Sequence, residues 1–322
     1  MHAERWVNGR AKRLSASLSS TVCSTIGPTT DCQPRFLRVS SEAEGAPSID
    51  LQIRQRLHTR LRNTLKRDPL PRGTHAILHG SYASGTVTAF SDVDVVLILD
   101  ESVADSELAL LGASCRGLLR VLYSAAPLAH HGLNVIFRGE LARYDQSVLP
   151  IAALESGLSL GETPFEIEVH WDPKLSQLGA RARLERQLLA SRRNFALQSR
   201  LLYRRQSALS VLLLLPSLLV EAISGAYPYK RESFELAKPY FQPEEWLAIE
   251  LASKLRQSWH LPARLKNIAE VVNSPASILS PDAGRKVVAA LSWQRQRSLT
   301  TNLAKPAEKF IGRCEELLHA CR

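Results

Sequence analysis

Residues 79–94 read His79-Gly80-Ser81-Tyr82-Ala83-Ser84-Gly85-Thr86-Val87-Thr88-Ala89-Phe90-Ser91-Asp92-Val93-Asp94 and run directly into the apolar stretch Val95-Val96-Leu97-Ile98-Leu99. A Gly-Ser pair closes one apolar run, Ala76-Ile77-Leu78, and two acids open the next. Residues two apart on a strand project from the same face, so Asp92 and Asp94 are expected to point together into the space that Gly80 and Ser81 border. Two carboxylates held that close repel each other unless a cation lies between them, and a divalent ion is the usual solution. Glycine permits close approach of the backbone to a ligand, and backbone N–H groups with a serine hydroxyl suit phosphate oxygens. Paired carboxylates beside a phosphate cradle imply metal-assisted phosphoryl or nucleotidyl transfer.

This segment resembles the signature of the nucleotidyltransferase superfamily that includes DNA polymerase beta, in which a hydrophobic residue, Gly, and Gly or Ser precede a spacer and Asp-hydrophobic-Asp. Leu78-His79-Gly80-Ser81 and Asp92-Val93-Asp94 supply the two halves, and Gly85-Thr86 and Ser91 are also common there. The resemblance implies that Asp92 and Asp94 bind Mg2+ or Mn2+ and that Gly80 and Ser81 hold the phosphates of a nucleoside triphosphate such as ATP. The reaction implied is transfer of a nucleoside monophosphate to a hydroxyl acceptor, which could be RNA, a nucleotide, a protein or a small molecule.

A third carboxylate lies on a later strand in that superfamily. Residues 130–137, the next strand candidate, hold no acid, only His130, His131 and Asn134 as polar residues. The strand after it, Phe165-Glu166-Ile167-Glu168-Val169-His170-Trp171, alternates strictly. Glu168 is therefore the first choice for a third metal ligand and catalytic acid, with Glu166 second and Asp172 at the sheet's edge. The alternation equally describes a solvent-facing strand. Imidazoles at His130 and His131 suit magnesium less well than oxygen ligands do. Further along, Lys230 and Ser233 resemble the Lys and Ser or Tyr pair by which helical domains of related enzymes contact the triphosphate. The same residues also read as a simple helix start, with Phe234 anchoring it to the core.

The 322-residue chain has room for two domains, and its 45% apolar and 22% charged residues are those of a folded globular protein. Its net charge of +10 is carried mostly by arginine, which favours phosphate-bearing partners such as RNA or another polyanion. A basic run over Arg181, Arg183, Arg186, Arg192, Arg193, Arg200, Arg204 and Arg205 either lines a polyanion groove or is a solvated face. Five cysteines without a Cys-x-x-Cys pair argue against a disulfide framework or zinc site and for a reducing, cytoplasmic setting. The longest apolar run, 209–223, is interrupted by Ser210, Pro216, Ser217 and Glu221 and reads as a buried core helix, not a membrane span. No secretory h-region opens the chain.

The expected architecture is α+β. Residues 1–47 read as a disordered or loosely packed tail. Residues 48–173 form a small mixed sheet with helices on one side, led by a basic amphipathic helix with apolar Ile49, Ile53, Leu57, Leu61 and Leu65 and with Arg54, Arg56, Arg60 and Arg62 between them. Residues 174–322 read as an α-helical domain. A second reading of the same residues is a nucleotidyltransferase fold without turnover, acting as a nucleotide sensor or a partner-binding subunit in a toxin–antitoxin or defence-like system.

Overall fold

The computed structural model describes residues 33–40, 49–100, 103, 105–129, 131–162, 164–193, 199–228, 231–293 and 302–320. A four-stranded mixed sheet of order β4-β3-β2-β5 forms its centre: β2 (His75–His79), β3 (Asp94–Leu99), β4 (Asn134–Phe137) and β5 (Leu158–Ser159). β2 runs antiparallel to β3 and β5, and β4 runs parallel to β3. Both β2 and β3 are almost continuously apolar because both of their faces are covered. On one face, Leu78, Val95, Leu97 and Leu99 pack against Leu57 and Leu61 of α1 (Ile49–Arg67) and against Leu111, Leu118 and Leu122 of α3 (Asp105–Ala125).

The other face is covered by a second layer. Ile77, Val96, Ile98 and Ile136 meet Leu37 and Val39 of β1 (Gln33–Val39) and Ile167 and Val169 of β6 (Phe165–Trp171). Ile151 and Leu154 of α5 (Ile151–Glu155) complete this core, and α4 is the short turn Arg138–Leu141. β1 and β6 form a separate antiparallel pair. This differs from the sequence reading in two ways. Residues 33–39 fall within the stretch read as a tail, yet Leu37 and Val39 alternate into the core. Strand 165–171 belongs to this covering layer and not to the central sheet. The remainder of that stretch, 1–32 and 41–47, lies outside the described residues.

From Pro173 onward the described chain is almost wholly helical: α6 (Pro173–Arg193), α7 (Leu202–Ser224), α8 (Arg231–Ala237), α9 (Pro243–Gln257), α10 (Ala263–Val272), α11 (Pro281–Leu291) and α12 (Ala304–Ala320). Their shared core includes Leu184, Leu209, Leu215, Leu219, Trp246, Ile249, Leu265 and Phe310. Both α3 and α7 contain windows long and apolar enough to cross a membrane, and half of each window is buried within the fold. Cys115 and Cys314 are free and buried.

The two halves are fastened together. Arg120 of α3 donates to the carbonyls of Ser274, Ser277 and Leu279 at 2.9, 3.1 and 2.9 Å. Arg285 of α11 stacks over Tyr123 of α3, 5.5 Å from the ring centre. The basic run of α6 and α7 is partly consumed in the same way. Arg181 caps the end of α7 through Ala222 O, Arg183 donates to the carbonyls of Ser147 and Val148, Arg192 pairs with Glu315, and Arg205 is buried. Arg186, Arg200 and Arg204 remain exposed, and the side chain of Arg193 lies outside the described residues.

One buried acid makes the fold sensitive to pH. Glu221 is 3% exposed and accepts a 2.9 Å hydrogen bond from Ser217, and burial pushes its carboxyl up to about 7. Arg183 and the Ser217 hydroxyl pull in the opposite direction without overcoming burial. The folded state thus holds a proton that the unfolded chain releases at about pH 4.5, and stability is lost as pH rises from there through about 7. Glu221→Gln is expected to flatten this slope. In denaturant titrations, wild type should lose stability relative to the variant between pH 5 and about 8; parallel pH profiles would contradict the assignment.

Candidate active site

The Gly-Ser turn and the Asp pair meet at the ends of β2 and β3, where His79 faces Asp94 in the register. Gly80 leaves β2 with φ of 75°, in the left-handed region, and opens the single-turn helix α2 (Gly80–Ser84). A Cβ at Gly80 would lie 2.4 Å from Oδ2 of Asp94. Both properties require glycine: the backbone angle disfavours a side chain, and the Asp94 carboxylate fills the space one would take. Ser81, 8% exposed, anchors the rest of the turn with its carbonyl, which accepts from the N–H groups of Gly85 and Thr86.

Asp92 is set by the loop before it and by the helical half of the protein. Ser91 Oγ accepts from Thr88 N at 3.0 Å, while Ser91 N donates to Thr88 O at 2.9 Å. Phe90 points away from the sheet and into the helical core, edge-on to Trp259 with ring centres 5.2 Å apart. Burying a phenylalanine side chain contributes about 1.5–3 kcal/mol, enough to hold the loop down. Gln206 of α7, 3% exposed, donates from Nε2 to both Asp92 Oδ1 and the carbonyl of Phe90, at 3.0 Å each.

Arg256 of α9 brings positive charge to this corner, with its guanidinium 5.7 Å from the centre of the Phe90 ring. Burial pulls its pKa below the usual arginine value, and the fields of Asp92 and Asp94 oppose that effect. Beside Asp92 a cleft of about 310 Å³ opens between the halves, bordered by Tyr82, Ser91, Gln206, Leu261 and Lys266 among others.

The other residues expected at the site are placed differently. Ile167 and Val169 turn into the core, so Glu166, Glu168 and His170 alternate outward; Glu168 is 48% exposed and meets His170 Nε2 at 2.8 Å. Among the described residues no three of His, Cys, Asp and Glu group closely enough to hold a metal ion. Glu168 is therefore not brought to the Asp pair, a correction that follows from β6 lying in the covering layer. Asp172 is occupied at the start of α6, accepting from Leu175 N and Arg143. Burial alone would raise its pKa, but these donors hold it below the usual value.

On β4, register opposite Val96 puts Asn134 on the face shared by Asp94, Val96 and Ile98. The neighbouring strand thus offers an amide there and no acid. Ser233 is buried in α8, and Lys230 lies outside the described residues. Phe90, Gln206 and Arg256 were missed in the sequence. Only the apolar Phe90 among small polar residues carried a local signal.

Residues 58–170, spanning the Gly-Ser turn and the Asp pair, match the family model of the nucleotidyltransferase domain. This chain carries a nucleotidyltransferase domain. Comparison with curated proteins gives no match. The matched stretch begins within α1 and ends in β6, so the nucleotidyltransferase domain takes in the central sheet, α3 and most of β6.

The closeness of Gly80 to Asp94 gives a direct test. Gly80→Ala is expected to destabilise the protein by about 1–3 kcal/mol through backbone strain, with further loss from the clash with Asp94. In thermal melts, Gly80→Ala combined with Asp94→Ala should recover the clash component but not the strain. Strict additivity of the two substitutions would show that they do not touch.

Proposed function

We propose that the protein transfers a nucleoside monophosphate from a nucleoside triphosphate to a hydroxyl acceptor, with a divalent cation, Mg2+ or Mn2+, held by Asp92 and Asp94. The seating of the Asp94 carboxylate in the space left open by Gly80 carries this reading. It brings an acid and the expected phosphate cradle into contact, an arrangement that a plain turn has no need of. Two carboxylates fit magnesium, which commonly takes one or two protein carboxylates and completes its shell with water and substrate phosphates. When bound, the cation neutralises phosphate charge and makes the attacking hydroxyl more acidic.

The protein's own groups bind and orient. Gly80 and Ser81 border the β- and γ-phosphates, and Gln206 holds Asp92 so that the two carboxylates stay together. Arg256 adds charge from the helical wall, the part that the sequence reading gave to Lys230 and Ser233. The acceptor oxygen forms its bond to the α-phosphorus in line with the breaking bond, and pyrophosphate leaves. Rate enhancement comes mostly from positioning and charge neutralisation. The acceptor is proposed to be RNA, a nucleotide, a protein or a small molecule, and net charge of +10 favours an anionic one.

ATP labelled at the α-phosphate, incubated with the protein, magnesium and candidate acceptors, should give labelled product. Asp92→Ala with Asp94→Ala should abolish labelling while the circular-dichroism spectrum stays that of wild type. Equal labelling by the double variant would overturn the site. Arg256→Gln should lower labelling and weaken nucleotide affinity together.

A further inference from the structure

The cleft of about 310 Å³ between the halves does not open onto the reacting groups: none of Gly80, Ser81, Asp92, Asp94 and Arg256 borders it. Asp94 shares a strand face with Val96 and Ile98, which turn toward the β1–β6 layer. Tyr82 and Ala126, which border the cleft, belong to the core on the opposite face. The cleft therefore lies behind the catalytic turn. Its walls are mostly apolar, with Ile53, Val87, Ala125, Leu128 and Leu261 drawn from both halves, and its size and place at a domain boundary are those of a small-molecule site. Lys266 of α10 is the single charged residue of the lining, and among the described residues no carboxylate pairs with it. The other polar groups are engaged: Ser91 Oγ with Thr88, and Nε2 of Gln206 with both Asp92 Oδ1 and the carbonyl of Phe90.

We propose that this cleft is an effector site for a small amphipathic anion, with a compact apolar body and a single anionic head. The body displaces water from the apolar walls, and the head pairs with Lys266 at the rim, where an ammonium acts as a point charge. One free lysine beside engaged polar groups suits one negative charge and not a polyphosphate. Thr88, Ser91 and Gln206 also set Asp92, so an occupant braces the loop and α7 together. Occupancy is thereby coupled to nucleotide and metal binding at the Asp pair, equally in both directions. The site itself goes beyond the nucleotidyl-transfer reading; only this coupling rests on it.

The probe is anilinonaphthalene sulfonate, an apolar body with one sulfonate whose fluorescence rises out of water; phenylnaphthylamine carries the same body without the charge. Wild type is expected to bind the sulfonate saturably. Lys266→Met, a change at an exposed side chain, should weaken it about tenfold, the loss of one charge-assisted hydrogen bond, and leave phenylnaphthylamine affinity unchanged. Ala125→Phe fills the cleft and should abolish binding of both probes; should it fail to fold, the lysine variant decides alone. Magnesium and ATP together should tighten the sulfonate in wild type and not in Asp92→Ala with Asp94→Ala. Equal sulfonate affinity in wild type and Lys266→Met, or both probes still bound by folded Ala125→Phe, overturns the inference. So does competitive displacement by ATP, which would make the cleft part of the substrate site. Sulfonate binding that follows Lys266 but is indifferent to magnesium and ATP upholds the site and overturns its coupling to the Asp pair. Failure of the nucleotidyl-transfer reading is seen separately, as absence of α-label transfer by wild type, and leaves the Lys266 comparison standing.

Discussion

Two carboxylates two residues apart, one of them pressed against the Cα of a glycine, form the constraint around which this protein is organised. Asp94 begins β3 directly opposite the end of β2, and Gly80 turns the chain there with a backbone angle that few other residues adopt. Neither feature benefits the fold by itself: the acids repel and the glycine is conformationally costly. The surrounding structure holds them in place. Apolar β2 and β3 are buried on both faces, so the strand ends cannot drift, and the Thr88–Ser91 turn fixes the approach to Asp92.

The helical half completes the site as well as covering it. Phe90, from the loop between the two motifs, is counted in the helical core, and Gln206 ties Asp92 to α7. Arg256 arrives from α9. With Arg120 gripping three carbonyls across the same boundary, the separation of the halves is fixed by several independent contacts. Small changes in helix packing would therefore be felt directly at Asp92, which Gln206 ties to α7.

Much of this was legible in the sequence because it is local. The Gly-Ser turn, the acids and the two apolar runs lie within about 25 residues, and strand alternation decides which way each side chain points. Glu168 shows the limit of that logic. Its alternation with Ile167 and Val169 was read correctly as a strand, but which layer the strand joins is settled by pairing with residues 33–39, a partner whose apolar positions Leu37 and Val39 are too few to announce it. Gln206, 114 residues beyond Asp92, has no local pattern to mark it.

The central claim is that the Asp pair exists to share a divalent cation with a bound nucleotide. Electron paramagnetic resonance of Mn2+ in the presence of the α,β-methylene ATP analogue measures this directly, because protein-bound manganese loses its free-ion signal. The account predicts saturable binding that depends on the nucleotide and is lost in Asp94→Asn, an isosteric change that removes charge and little else. Manganese binding of equal affinity in wild type and Asp94→Asn, or none in either, would contradict it.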